Sequence, residues 1–385
     1  MASICLYFQV HQPYRIKNFS FFDLGKNQDY FDEKLNREVL NKVSEKCYLP
    51  ANELFLDLIE KQDIKITFSL SGVFLEQIEQ YRPDVLASFQ KLIKTGNVEI
   101  LAETYYHSLA FFYSKKEFKR QIKLHQKKVE LLFNVTPTVF RNTELLFNNE
   151  LASTIKDLGY QGILTEGTDE NLKGRSPNQV YLSQDNLPVL TRNYKLTDDV
   201  AFRFSSTSWK QYPLTSEKYS NWLKSEYGET INLFMDYETI GEHHWKDTGI
   251  FNFWNQLPVA VQSKGLQFQT VSEIISKLEA KKKFDAPQTI SWADSERDLS
   301  AWLGNDMQKE AAKRLYNLEK AITTRHPKLL NIWAKLLTSD HLYYVSTKHE
   351  SDRAVHDYFS PFSTPYDAYL YLTNILSDLE LSISN

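Results

Sequence analysis

At 385 residues the chain is longer than the ~100 to 200 residues usual for one domain, so it calls for one large barrel or a core with a satellite. Hydrophobic residues at 42% and charged residues at 24% are ordinary globular values and exclude a disordered or fibrous chain. The net charge of -4, with 45 Lys and Arg spread along the sequence, offers no electrostatic footprint for a polyanion, so nucleic acid is not an expected partner.

Aromatics reach 14%, whereas only 12 glycines are present, about half the ordinary ~7%. Few glycines, and neither G-x-G-x-x-G nor G-x-x-x-x-G-K-[ST], disfavour a nucleotide enzyme; abundant aromatics suit sugar faces as well as cores. Cys5 and Cys47 are too few for a disulfide framework or a thiolate metal site and read as buried thiols. None of the nine histidines pairs as H-x-x-x-H, so no metal and no other cofactor is expected. The N-terminus shows no basic leader or cleavage pattern, and no apolar run reaches ~18 residues, so the reading is a cytoplasmic protein without a membrane partner.

In chain order, β-branched and aromatic runs predict strands at 3–10, 64–71, 97–102, 137–141, 161–165, 201–205 and 230–236. Apolar i, i+3, i+4 spacing predicts helices over 73–95, 115–133 and 147–158, with Gly96 and Gly159 where C-caps fall. Alternation of this kind implies crossover helices and a parallel sheet. Residues 166–200, rich in Gly, Asn, Asp and Ser, read as a long excursion able to roof a site, and Lys281-Lys282-Lys283 as a solvated turn. Beyond about residue 272 the pattern changes to helices at 298–322, 326–338 and 366–381, without a clear strand, punctuated by Pro287, Pro327, Pro361 and Pro365. The expected architecture is α/β, an incomplete parallel (β/α)7 barrel of TIM-barrel type over 1–285, followed by a helical region over 286–385 packed on it.

In a parallel barrel, catalytic groups sit just after the strand C-termini. Polar residues collect there: His11-Gln12-Pro13 after the first strand; Glu99, Glu103 and His107 on and after the third; Arg141-Asn142-Thr143-Glu144 after the fourth; Asp236-Tyr237-Glu238, then Glu242-His243-His244-Trp245, after the last. Taken singly, each is as well explained by an ordinary polar rim. Jointly, Glu144 and Asp236 follow apolar runs on different strands, so a closed barrel brings two carboxyls toward one mouth, as glycosidic chemistry requires.

Four blocks then resemble, in order, the conserved regions of glycoside hydrolase family 57: Phe8-Gln9-Val10-His11-Gln12-Pro13-Tyr14-Arg15, Gly96-Asn97-Val98-Glu99-Ile100, Phe140-Arg141-Asn142-Thr143-Glu144-Leu145, and Phe234 through His243. Asp298 through Gly304 is similar to a fifth region, and Ser339-Asp340-His341-Leu342-Tyr343-Tyr344 to a stretch of the α-amylase-type members, so the resemblance spans about residues 4–345.

The resemblance implies that Glu144 is the nucleophile and Asp236 the general acid/base of a retaining enzyme acting on α-1,4-glucans such as glycogen, starch or maltodextrins. It also implies a barrel of seven strands with a helical C-terminal region. Substrate-binding positions follow at His11, Gln12, Glu99, His107, Arg141, Tyr237, Glu238, His243, Trp245, Asp298 and Trp302; Trp245 and Trp302 stand equally as sugar platforms or core residues. Retaining chemistry needs an ionised nucleophile beside a protonated acid, so the two environments should push the pKa values apart. Hydrolysis of the α-amylase kind leads. Transfer between 4-α-glucan chains or branching is the alternative, with a silent glucan-binding protein or a metal-dependent polysaccharide deacetylase behind it. Oligomeric state is set by no motif.

Overall fold

A computed structural model of the protein describes residues 2–280, 282–348 and 350–384, within 350–354 by the backbone alone. Its strands are β1 (Ser3–Val10), β2 (Ile66–Leu70), β3 (Val98–Ile100), β4 (Val139–Arg141), β5 (Gly162–Glu166), β6 (Val180–Leu182), β7 (Pro188–Arg192), β8 (Thr230–Asp236), β9 (Gln267–Phe268) and β10 (Lys282–Lys283). β1 is buried along its whole length, as a strand with neighbours on both edges and helices outside must be.

Parallel ladders run β3-β2-β1-β8 and β4-β5-β7. A parallel bridge between Ala102 and Phe140 joins β3 to β4. The circuit closes where Asn193 N–H donates to Asn232 O and Asn232 Nδ2 to Thr191 O, both at 2.9 Å, drawing β7 against β8. The result is a seven-stranded parallel barrel, with β9 completing the lower edge of β1 and β6 and β10 as an appendage on β7.

The period of two along each strand sorts the side chains. Cys5, Tyr7, Leu101, Val139, Leu164, Leu190 and Phe234 share the barrel interior, with the Tyr7 and Phe234 rings 5.4 Å apart edge to face. Leu6, Phe8, Leu233, Met235 and Tyr237 point outward to the surrounding helices. Asp236 therefore faces in and Tyr237 out.

Four sequence expectations are corrected. The sixth barrel strand is Pro188–Arg192, not 201–205. Phe204 instead continues the i, i+4 series of Leu196 and Val200 from the Asn193-capped helix Tyr194–Ala201 into the outer core. The stretch 166–200 is thus no roof: it holds a helical turn, β6, β7 and most of that helix. The helix expected over 73–95 is two, Gly72–Tyr81 and Pro83–Lys94, because Pro83 starts a new helix and drives Arg82 out of helical conformation. Lys282 and Lys283 are solvent-exposed as expected but form β10 beside Tyr181 and Leu182 instead of a turn, and Lys283 Nζ donates to Ser183 O at 2.8 Å; Lys281 lies outside the described residues. The helix Lys115–Phe133 and the left-handed Gly96 and Gly159 match the reading.

Beyond β10, helices include Asp306–Asn317, Leu330–Leu336 and Pro365–Ser384. Trp302, Leu315, Trp333, Leu372 and Ile375 make their common core with Tyr14, Phe19 and Tyr30 from the segment after β1. This docking carries the helical region over the C-terminal ends of the strands. Ser108 and Thr338 form a bridge, and Ser339 N–H donates to His107 O at 2.9 Å. No helix among the described residues is long and apolar enough to cross a membrane.

Candidate active site

β4 ends at the buried Arg141, and the chain turns at once through the single 3-10 turn Thr143–Leu145. Glu144 (φ 55°, ψ 28°) and Leu145 (φ 51°) are both left-handed, and so is His107 (φ 51°). Such a backbone costs a non-glycine residue about 1–3 kcal/mol and persists where the surroundings enforce it. Nine non-glycine residues adopt positive φ among those described. Asp63, Asn134 and Lys173 close helices and Asn186 sits in a turn, whereas His107, Glu144, Leu145, Asp294 and Arg297 gather around the barrel mouth.

The turn holds Glu144 by both oxygens. Oε1 accepts from His107 Nε2 at 2.8 Å and Oε2 from Trp292 Nε1 at 2.7 Å. Trp292 arrives through a local antiparallel bridge, in which Phe147 and Ile290 exchange two 2.9 Å bonds, so the segment 290–292 lies along 144–147. Burial acts most strongly on Glu144 and raises its pKa; the His107 bond, the His107 and Arg141 charges and the Trp292 bond together outweigh it and hold the carboxyl below its ordinary value.

Asp236 ends β8 opposite Gln9 of β1. Burial and then the like charge of Glu144 push its pKa up to about 7, against the pull of Arg141, His107 and Arg192. The mouth thus places a carboxylate beside a carboxylic acid, the pairing that the chemistry needs.

Two imidazoles stack above the barrel, His11 and His107, 4.0 Å apart. His107 Nδ1 donates to Glu103 Oε2 at 3.2 Å. Burial lowers the pKa of His107, but bonds to Glu103 and Glu144 and their charges lift it to about 9. His11 meets Ser71 Oγ at Nδ1 (2.7 Å) and Asp340 Oδ2 at Nε2 (3.0 Å). Burial and the neighbouring His107 lower its pKa despite Asp340. The attraction of His11 for Asp340 is thus mainly that of a neutral donor: Ser71 gives its hydroxyl proton to Nδ1 and Nε2–H points at the carboxylate.

Arg141 has no solvent exposure, and none of its guanidinium nitrogens has a hydrogen-bond partner. Its Cζ lies 4.9 Å over the Trp292 ring. Beyond Trp292, Arg192 and Arg297 converge on Glu166 (3.0 and 2.6 Å) and reach Asp198, forming a buried ionic wall.

Of the residues marked by sequence, Glu144, Asp236, His11, His107 and Arg141 come together. The others are placed elsewhere. Glu99 faces the interior but lies four residues before Glu103, about 13 Å further down at ~3.3 Å per residue; its partners are Thr67 Oγ1 (3.5 Å) and the Ser272 N–H (3.0 Å), not His11 or Arg141. Tyr237 is core, its hydroxyl donating to Asn52 Oδ1 at 2.8 Å. Gln12 Nε2 donates to the Tyr48 hydroxyl at 3.2 Å, and Tyr48 donates to Glu238. Burial and the Asp236 charge raise Glu238 to about 8.

His243 packs against Tyr358 and Phe359 of the helix Glu350–Phe359, which reaches across from the helical region. Trp245 is 58% exposed beneath Lys46 Nζ at 4.6 Å and lines an outer groove of about 900 Å³ with Leu54 and Phe251. Asp298 accepts from Ser300 N–H at 2.7 Å at the start of a helical turn, and Trp302 is core. Among the described residues no three His, Cys, Asp or Glu side chains gather as a metal site. Sequence reading missed the contact made by Trp292, which no periodicity marks. Glu103 and Asp340 lay in stretches it did single out.

Two carboxyls of opposite protonation bias at the mouth of a parallel barrel suit the cleavage of glycosidic bonds, the chemistry of the glycoside hydrolases. The chain is a member of glycosyl hydrolase family 57, which it matches over residues 5–287. A Methanocaldococcus jannaschii protein described as "Putative alpha-amylase" is 47% identical over 394 residues, spanning 98% of this chain and 84% of that protein. The fold is shared with a GH57-type branching enzyme from Pyrococcus horikoshii (TM-score 0.74, 14% identity, 98% of this chain and 88% of that one). It is shared too with the 4-alpha-glucanotransferase of Thermococcus litoralis (TM-score 0.60, 18% identity, 93% of this chain and 54% of that one).

Proposed function

We propose that the protein is a retaining α-glucan hydrolase of the α-amylase kind, acting on α-1,4 bonds of glycogen, starch or maltodextrins in the cytoplasm. Glu144 is its nucleophile and Asp236 its general acid/base. The observation that carries this reading is the opposite bias of the two carboxyls at one barrel mouth, Glu144 below its ordinary pKa and Asp236 raised to about 7. Glu144 attacks the anomeric carbon while Asp236 gives its proton to the departing glycosidic oxygen; Asp236, now ionised, takes a proton from water as water displaces Glu144. His11 lines the space where the sugar sits, and Arg141, buried and without hydrogen-bond partners, supplies positive charge to the two carboxyls from beneath it. The barrel over 1–285 supplies the carboxyls, and the helical region over 286–385 supplies Trp292 and Asp340.

The test is maltoheptaose digestion, with products resolved by size, for the native protein and Glu144→Gln, each with and without EDTA. Shorter products alone, insensitive to EDTA and lost by at least ~10⁴-fold in the variant, are expected. Longer products beside shorter ones would move the assignment to glucan transfer on the same carboxyls, as in the family's transferases. Full turnover by Glu144→Gln would remove Glu144 from the mechanism.

A further inference from the structure

The two stacked imidazoles have the same pattern of neighbours with one difference. His11 lies between a hydroxyl and a carboxylate, so a single N–H satisfies it. His107 lies between two carboxyls, Glu103 and Glu144, which as carboxylates only accept, so both ring nitrogens must donate and the ring carries a positive charge. Glu103 is fully buried, and its Oε1 has no partner. The backbone of His107 is left-handed, and its carbonyl is tied to Ser339 of the helical region. This ring is held from three sides for one orientation.

We propose that Glu103 and His107 are a positioning dyad that keeps a cation on the Glu144 carboxylate through both halves of the reaction and stabilises that carboxylate as it leaves the glycosyl-enzyme. The proposal rests on Glu144 being the nucleophile. In the first half an oxygen of Glu144 bonds to C1, the glycosidic C1–O bond breaks, and the Asp236 proton goes to the departing oxygen. In the second half water bonds to C1, its proton goes to Asp236, and the C1–O bond to Glu144 breaks with its electron pair returning to the carboxylate. That returning charge arrives between His107 on Oε1 and Trp292 on Oε2.

The charge count agrees. Before reaction Glu103 and Glu144 are negative, His107 and Arg141 positive and Asp236 neutral; in the glycosyl-enzyme Glu144 is neutral and Asp236 negative, so the sum over these groups does not change, and Asp340, a carboxylate throughout, adds the same charge to both states. A buried site keeps its electrostatic cost low when no step changes its net charge. The other groups facing this cluster are His11, Asp340 and His125. His125 sits beside Glu103, accepts from its backbone N–H at 3.4 Å, and is bonded to Leu70 O at 2.9 Å. Burial keeps the pKa of His125 low, and it adds no charge to the count.

Loss of the cation makes Glu144 a more basic carboxylate, which attacks adequately but departs poorly. α-Maltosyl fluoride, whose leaving group needs no proton from Asp236, isolates the second half. In His107→Gln, kcat is expected to fall ~10²-fold, kcat/KM less, with a burst of one fluoride per site and a maltosyl group found on Glu144 by mass spectrometry. The acid limb of the kcat/KM profile should also move to higher pH. Glu103→Gln should show the same signs more weakly, and Glu103→Asp should restore most of the loss; this pair carries the test if His107→Gln does not fold. Equal falls in kcat and kcat/KM, with no burst and an unmoved acid limb, would reduce the dyad to a structural contact. Glu144→Gly with added azide separates the two readings. Restored turnover as glycosyl azide supports the nucleophile whatever the dyad does, and no restoration would overturn Glu144 and the dyad with it.

Discussion

The β4 corner of the barrel mouth surrounds its carboxyl with donors, whereas the β8 corner gives its own carboxyl burial and a like charge. At Glu144, an imidazolium, an indole N–H and a guanidinium overcome a desolvation cost that acts on both groups. At Asp236, the same desolvation stands first and the charge of Glu144 adds to it. The backbones differ in the same sense: Glu144 sits on two successive left-handed residues, whereas Asp236 (φ -70°, ψ 139°) ends a regular strand. Strain is thus stored where a side chain must be aimed at two donors, and regular structure suffices where burial and a like charge set the protonation state.

The sharpest way to break this asymmetry is to remove the titration of Asp236. Asp236→Asn is expected to slow maltoheptaose turnover by ~10²- to 10⁴-fold, the usual worth of a general acid/base. The native alkaline limb, near pH 7 because the acid must be protonated there, should vanish. The same variant reads stability with a definite sign. A carboxyl whose folded pKa is raised contributes stability below its unfolded value, and that contribution is lost as pH rises through about 7. Asp236→Asn should therefore raise the melting temperature at pH 8 and change it little at pH 4. Equal melting temperatures at pH 8 would mean that Asp236 is not held protonated by its surroundings.

Trp292→Phe acts on the other corner and less strongly, because Glu144 keeps its bond from His107. A roughly tenfold fall in kcat is expected, below the ~10²- to 10³-fold typical of removing a sole donor from a reacting oxygen. The acid limb of kcat/KM should move upward, since one of the groups holding Glu144 ionised is gone. An unmoved limb would leave the indole as packing only.

These corners were unequally legible in the sequence. Glu144 and Asp236 could be placed because each follows an apolar run, and a parallel barrel turns strand ends into a site. Tyr237 and Glu238 share the motif of Asp236, but a motif does not say which way a side chain points, and the strand period sends Tyr237 into the outer core. Trp292 was invisible because it is brought to Glu144 by a bridge between residues 147 and 290, a pairing too distant in sequence to leave a period. The sixth strand was misplaced for a different reason: Pro188–Arg192 is short and begins with proline, while the segment just past the helix that follows it carries the apolar Phe202 and Phe204 mistaken for it.

Glu99 gives the smallest effect and the cleanest separation of motif from geometry. It lies in a block that marks the family, yet its carboxyl sits low in the barrel, accepting from the N-terminal N–H of Ser272 at the start of the helix Val271–Lys277. Burial raises its pKa, and the hydrogen bonds from Ser272, Thr270 and Thr67 oppose that. Glu99→Ala leaves Ser272 N–H without its acceptor and should cost about 1–3 kcal/mol in urea unfolding, while KM for maltoheptaose changes by less than about twofold, because a group ~13 Å below the rim cannot touch the sugar. Glu99→Gln, which keeps the acceptor, should recover most of that stability. A large rise in KM in both variants, at unchanged stability, would mean that the glucan reaches deeper into the barrel than the His11–His107 layer, and the floor of the site would have to be redrawn at Thr67 and Glu99.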